Sequence, residues 1–313
     1  MATSVETEYG ILQLTLVSVT AITYITGLMI HMFIVGVSII DRLKGRPLTT
    51  TDLLITSIGT SRIIFEFVSV FDLFWRTFYK ESSMAYNTAI NVIGYSATDC
   101  NIWLSVLLSV FYSLKISNFQ NVFFLYLKKI ISQRVVGLII AFVLLSIAFS
   151  SGGVYATVVN APKNVTQEAN HHPIQFIVYT AFYVWNVLPC LLYAISSFAL
   201  LGSLCHHMQR MKRDQNARSH LHAYFKTIKF IIVSFFCFAL YVGINIFGLY
   251  YDFLGFAVFF LVWNCFPVMH SIYLIYLTAR LRNHFLKVLH GMTKCLRRGS
   301  ESREVLEIQI VSQ

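Results

Sequence analysis

The chain has 313 residues, 57% hydrophobic, 15% aromatic and only 12% charged, far from soluble globular composition, where about a quarter of residues carry charge. This excludes a disordered chain, a collagen and a disulfide-stapled miniature domain, and indicates a membrane protein. The formal charge of +10 does not require nucleic acid, because the basic residues sort by membrane side.

A bilayer-crossing helix needs about 20 apolar residues. The apolar runs predict seven such helices, roughly at Ile11 to Ile40, Leu53 to Trp75, Asn87 to Leu114, Val135 to Val158, Phe176 to Cys205, Thr227 to Tyr250 and Gly255 to Thr278. The second and third hold isolated charges yet stay apolar enough to span. Connections are short and no internal repeat is visible, so the expectation is one all-α domain over residues 1–313, a seven-transmembrane helix bundle. Residues 1–10 are expected outside and residues 279–313 as a cytoplasmic tail.

Orientation follows from Lys and Arg, which accumulate in cytoplasmic loops. Twenty of the 24 lie in the first, third and fifth loops and the tail. Arg76, Lys80 and Lys163 lie on the other side, and Arg62 is inside a span, so the N-terminus is expected to be extracellular and the basic clusters to meet lipid headgroups. Asn164-Val165-Thr166, a glycosylation acceptor, falls in a loop assigned to the outside. The first apolar run is too long for a cleaved signal peptide and is read as a signal anchor. All six cysteines fall in predicted spans or the tail, so no disulfide is expected in the second outer loop. Cys295 is a palmitoylation candidate or an ordinary free thiol.

Seven spans favour a G-protein-coupled receptor, but topology alone names no function. The first inner loop and second helix carry Ile40-Asp41, Lys44, Arg46, Leu48, Asp52 and Ser61-Arg62-Ile63. The third helix reads from Trp103-Leu104-Ser105 through Phe111-Tyr112-Ser113-Leu114-Lys115-Ile116-Ser117-Asn118-Phe119. The fifth has Leu188-Pro189 and Leu200-Leu201-Gly202-Ser203-Leu204-Cys205-His206-His207. Lys226-Thr227 opens the sixth, and Pro267-Val268-Met269-His270-Ser271-Ile272-Tyr273-Leu274-Ile275 with Arg280-Leu281-Arg282 closes the seventh. In this order and spacing the motifs resemble the type 2 (bitter) taste receptor family across most of the chain. His31 stands where that family usually has Asn, Thr278 replaces the usual Asn, and Glu66 is outside the pattern, as in a divergent member.

Ionisable groups inside a membrane are costly unless paired or wet. Asp52 and Asp72 sit near the ends of helix two and are expected to be interfacial. Arg62 and Glu66, four residues apart, share a helix face and can neutralise each other. At 1.5 Å per residue, Asp99 and Glu66 each lie about 22 Å above the inner ends of their helices, with Arg62 about one turn lower. Two arrangements are open: a closed Arg62 to Asp99 ion pair with Glu66 protonated, or a cluster of net charge −1 that draws in a cation. Aromatic residues on the outer-to-middle parts of helices three, five, six and seven suit flat or cationic organic ligands. The expected ligand set is therefore Glu66, Tyr95, Thr98, Asp99, Phe182, Trp185, Tyr241, Phe260 and Trp263.

Histidine pairs at His171-His172, His206-His207 and His220-x-His222 do not make a metal centre, since they lie on opposite sides and lack acidic or cysteine company. No phosphate-cradling loop or catalytic triad is visible, so no cofactor, metal or enzymatic role is expected. Pro189 and Pro267 break helix hydrogen bonds mid-membrane and are plausible hinges. The resemblance implies a plasma-membrane receptor for small bitter molecules, cationic ones included, coupled to a gustducin-like heterotrimeric G protein. It also implies switch or coupling roles for Arg62, Tyr112, Lys115, His206, Lys226, His270 and Ser271. A type 1 vomeronasal-like pheromone receptor and a seven-span transporter or channel remain the rivals.

Overall fold

The computed structural model describes residues 2–79, 83–116, 122–159, 172–212, 218–247 and 256–294. Seven helices follow in order: α1 (Ala2–Leu43), α2 (Thr50–Phe78), α3 (Met84–Ile116), α4 (Val122–Val159), α5 (His172–Lys212), α6 (Arg218–Phe247) and α7 (Phe256–Leu277). An eighth, α8, occupies 279–294. Among the described residues there is no strand.

Each of the seven predicted spans overlaps a described helix, and several helices begin earlier than the apolar segment does. Gly45, in the left-handed region at φ 76°, closes the turn after α1, a conformation open to residues without Cβ. Thr49 caps α2: its hydroxyl accepts from the Asp52 backbone N–H at 3.2 Å while the Asp52 carboxylate accepts from the Thr49 backbone N–H at 3.0 Å. This reciprocal box pulls the start of α2 back from the predicted Leu53. At the other end, Arg76 donates to both Asp72 oxygens one turn away, at 2.9 and 3.0 Å. The largest extension is in α4, which begins 13 residues before the predicted Val135. It bends at Arg134 (φ −116°, ψ 21°), so a basic amphipathic segment joins the apolar one at an angle.

Helices α1 to α6 are each long and apolar enough to cross a membrane. α7, with 22 residues, measures about 33 Å at 1.5 Å per residue. Neighbouring helices pack in sequence, α1 closes the ring against α7, and α3 runs inside it against α2, α4 and α5. The lower core gathers Ile34, Leu54, Ile58, Leu104 and Leu108, and the middle core Tyr24, Phe65, Phe238, Tyr241, Trp263 and Phe266. Large apolar side chains such as Ile22, Phe67, Leu144, Ile195, Phe236 and Leu240 stay exposed on the outside, where hydrocarbon rather than water suits them.

Candidate functional site

Among the described residues Arg62 is the largest fully buried side chain, at 0% exposure. A guanidinium offers five fixed donors and cannot shed its proton readily, so burial is tolerable only if acceptors surround it. Helices α3 and α7 supply them. Nε donates to Asn101 Oδ1 at 2.8 Å, Nη1 donates to the Pro267 carbonyl at 2.9 Å and to the Ser271 hydroxyl, and Nη2 meets His270 Nδ1 at 3.0 Å. The guanidinium also lies 5.9 Å from the Phe266 ring centre. Arg62, His270 and Ser271, grouped by the sequence motifs, are thus brought into direct contact, with α2, α3 and α7 joined at one side chain.

Glu66 does not neutralise Arg62, and this corrects the expected pair. Its Oε2 lies 2.8 Å from His31 Nδ1 on α1, with both side chains at 0% exposure. The i, i+4 spacing put Arg62 and Glu66 on one face, but long side chains on that face diverge: Arg62 toward α3 and α7, Glu66 toward α1. Close approach there depends on Gly27, since a Cβ on that residue would fall on Glu66 Oε1 and 2.8 Å from Val268 Cγ2. Two of the three departures from the family pattern, His31 and Glu66, are partners.

Asp99 joins neither group, so neither the closed Arg62 to Asp99 pair nor the three-residue cluster forms. Its Oδ2 accepts from Ser150 on α4 at 3.1 Å. The reason is direction: Asp99 and Asn101 lie about 200° apart around α3, whereas Asp99 and Trp103 lie about 40° apart. Asn101 therefore faces Arg62, and Asp99 and Trp103 face α4.

The aromatic positions divide in two. Trp263 is packed at 5.1 Å centroid distance against Phe65, which lies 6.0 Å from Tyr24, and Tyr95 approaches Trp263 at 6.5 Å. Tyr95 is 40% exposed and Trp263 7%, giving a half-open aromatic surface over the middle core. Thr98 is buried beside it, donating to the Gly94 carbonyl. Below, Tyr241 stacks on Phe266 at 4.9 Å and its hydroxyl accepts from Asn101 Nδ2 at 3.4 Å, which links this layer to Arg62. Trp185 belongs elsewhere: it stacks on Phe149 of α4 at 3.9 Å and lies 4.8 Å from Trp103. Phe182 is half-buried on α5. Phe260 and Lys226 lie within α7 and α6, but their side chains fall outside the described ones, as do residues Asn164 and Cys295.

At the inner end, Tyr112 packs against the small core of Leu200, Leu204 and Ile231, Lys115 Nζ sits 6.0 Å from the Phe111 ring centre, and His206 is exposed on α5. A second polar group, not anticipated as a unit, joins α1, α2 and α8. Arg280 reaches Asp52 at 2.9 Å and Asp41 at 3.4 Å, and donates to the Ser38 hydroxyl at 2.8 Å. Arg46 and His284 also approach Asp41, at 3.8 and 3.6 Å. Asp52 is therefore structural rather than simply interfacial. The motif residues Asp41, Asp52 and Arg280 signalled this group, but their separation in the chain concealed the contact.

Apolar helices around a buried arginine hub, with an aromatic layer above and a polar clamp below, define a multi-pass helical membrane protein. The family model described as "Taste receptor protein (TAS2R)" matches residues 9–293. Among similar curated proteins, mouse taste receptor type 2 member 105 is 28% identical over 295 residues, covering 88% of this chain and 96% of its own. Human taste receptor type 2 member 9 is 27% identical, covering 85% and 90%, and human member 43 is 24% identical, covering 88% and 93%. The chain belongs to the type 2 taste receptor family, bitter-taste chemoreceptors of the G-protein-coupled class and not an enzyme family.

Proposed function

We propose that the chain crosses the plasma membrane seven times with its amino end outside. In this reading it binds small bitter compounds, cationic ones included, in the outer half of the bundle and activates a gustducin-like heterotrimeric G protein at the inner face. The excess of Lys and Arg in alternate loops and the tail supports this orientation. Tyr95, Thr98, Phe182, Tyr241, Phe260 and Trp263 line the ligand side, with Tyr95 and Trp263 as its floor. Tyr112, Lys115, His206 and Lys226 serve the inner cleft, and Arg62, His270 and Ser271 are the switch between them. Glu66, sealed against His31, acts by holding α1 and α2 together rather than by touching ligand.

One observation carries the reading: Asn101 donates to Tyr241 while accepting from Arg62, which grips α7 at Pro267, His270 and Ser271. A ligand drives a change only by preferring one arrangement of such a joint. In this reading pressure on the aromatic layer reaches the Pro267 turn of α7 through three side chains, Tyr241, Asn101 and Arg62.

The test is calcium flux in cells expressing the receptor with a promiscuous G protein, against a bitter panel split by charge, with ion currents recorded without that G protein. Agonist-dependent calcium signals and no currents are expected. Currents without the G protein would favour a channel, and staining of an epitope after Asp214 in intact cells would reverse the orientation.

A further inference from the structure

Between Ala97 and Leu108 every residue of α3 is buried except Asp99, which keeps accessible surface. It does so in the middle of a membrane-crossing helix, where an ionised carboxylate costs several kcal/mol unless a cation or water joins it. Among the described residues no Lys, Arg or His lies within ion-pair distance of it. Its hydrogen bonds come from neutral donors, the Ser150 hydroxyl to Oδ2 and the Trp185 side chain.

The surroundings are aromatic. Trp185 of α5 faces the carboxylate and stacks at 3.9 Å on Phe149 of α4. Trp103, one turn below Asp99, lies 4.8 Å from Trp185. The Trp185 N–H is buried and directed at Asp99, the Trp103 N–H is buried without a hydrogen-bond partner, and neither brings positive charge. A carboxylate that keeps accessible surface, has no cation beside it among the described residues and stands next to a cluster of aromatic rings matches one ligand chemistry, since aromatic rings attract cations and do so most strongly where water is scarce.

The geometry points to Asp99, Ser150, Trp185, Trp103 and Phe149 as a subsite for protonated aryl-alkyl amines at the α3–α4–α5 contact, on the opposite side of α3 from the Arg62 hub. This rests on the proposed receptor reading and adds a second contact region beside the Tyr95–Trp263 floor. The ammonium pairs with Asp99, which keeps its Ser150 hydrogen bond, and the ligand's apolar body lies along Trp185 and Phe149. Glu66, the other mid-membrane acid, has no such role because His31 already meets it and it has no accessible surface.

The test uses the full-length receptor in cells, with a series of aryl-alkyl dimethylamines and their isopropyl isosteres, in which carbon replaces nitrogen and the charge is lost. In the wild type, amines should act at EC50 values at least about tenfold below their isosteres. Asp99→Asn should erase that preference while leaving the isosteres within about twofold, and Asp99→Glu should restore part of it. Should Asp99→Asn fail to reach the surface, Ser150→Ala and Trp185→Leu supply the same comparison, each narrowing the preference. Equal loss for amines and isosteres at matched surface expression, or no preference in the wild type, overturns the subsite while the receptor reading stands. Silence toward both series and toward the bitter panel overturns both.

Discussion

His31 Nδ1 and Glu66 Oε2 are 2.8 Å apart with neither side chain exposed, so α1 and α2 are joined by a contact that neither residue can replace alone. Truncating one member of a buried hydrogen-bonded pair leaves the other unmet, at a cost of about 1–3 kcal/mol. His31→Ala and Glu66→Ala should each lower the melting temperature of the detergent-solubilised receptor sharply. The double variant should lose clearly less than the two losses added. Additive losses would mean that the two residues act independently.

Gly27 is the companion position. Its replacement by Ala places a methyl group on Glu66 Oε1 and against Val268, an overpacking that costs about 1–3 kcal/mol. Gly27→Ala should cost much less in a Glu66→Ser background than in the wild type, read in the same melting assay. An equal cost in both backgrounds would assign the crowding to Val268.

At the hub, Arg62→Lys is not conservative, because an ammonium cannot address Asn101, the Pro267 carbonyl, Ser271 and His270 from one plane. Surface expression should fall and calcium signalling should be lost even in the molecules that reach the surface. Asn101→Ala should cost about 1–3 kcal/mol by leaving one guanidinium N–H unmet. Wild-type signalling from Arg62→Lys would remove the hub from the activation route.

Arg280→Ala withdraws the cation shared by Asp41, which is 1% exposed, and Asp52. The expected loss is about 1–3 kcal/mol, together with a reduced maximal calcium response and little change in agonist EC50. A large EC50 shift with unchanged maximum would place its effect on the ligand side instead.

On the outer face, Tyr95→Ala should raise agonist EC50 about tenfold, consistent with ~1–1.5 kcal/mol for an aromatic contact, without lowering surface expression, since Tyr95 is 40% exposed. Unchanged EC50 across the whole panel would remove it from the ligand surface.

Helix positions were legible because apolar runs of membrane length have few alternatives, and the helix ends shifted outward through local capping such as Thr49 with Asp52. Position along a helix was legible too: Glu66 and Asp99 both lie well inside α2 and α3, far from the helix ends. The direction of each side chain was not. The pairings His31–Glu66, Arg62–Asn101 and Arg62–Ser271 span 35, 39 and 209 residues, and their geometry depends on how helices rotate against one another. The motifs identified Arg62, His270 and Ser271 as important without revealing that they touch. The ion pairing assumed for Arg62 and Glu66 relied on spacing alone, which sets proximity of Cβ atoms but not where long side chains end.

Pro267 lacks an N–H and so cannot close the helical turn back to Trp263, while its own carbonyl is held by Arg62. The weakest point of α7 is therefore also pinned to α2. Under the proposed receptor reading such a joint lets the Trp263 arm and the Tyr273 arm turn about one fixed point. The reach from that point to the Tyr273 end would then set how far a given turn carries the inner face.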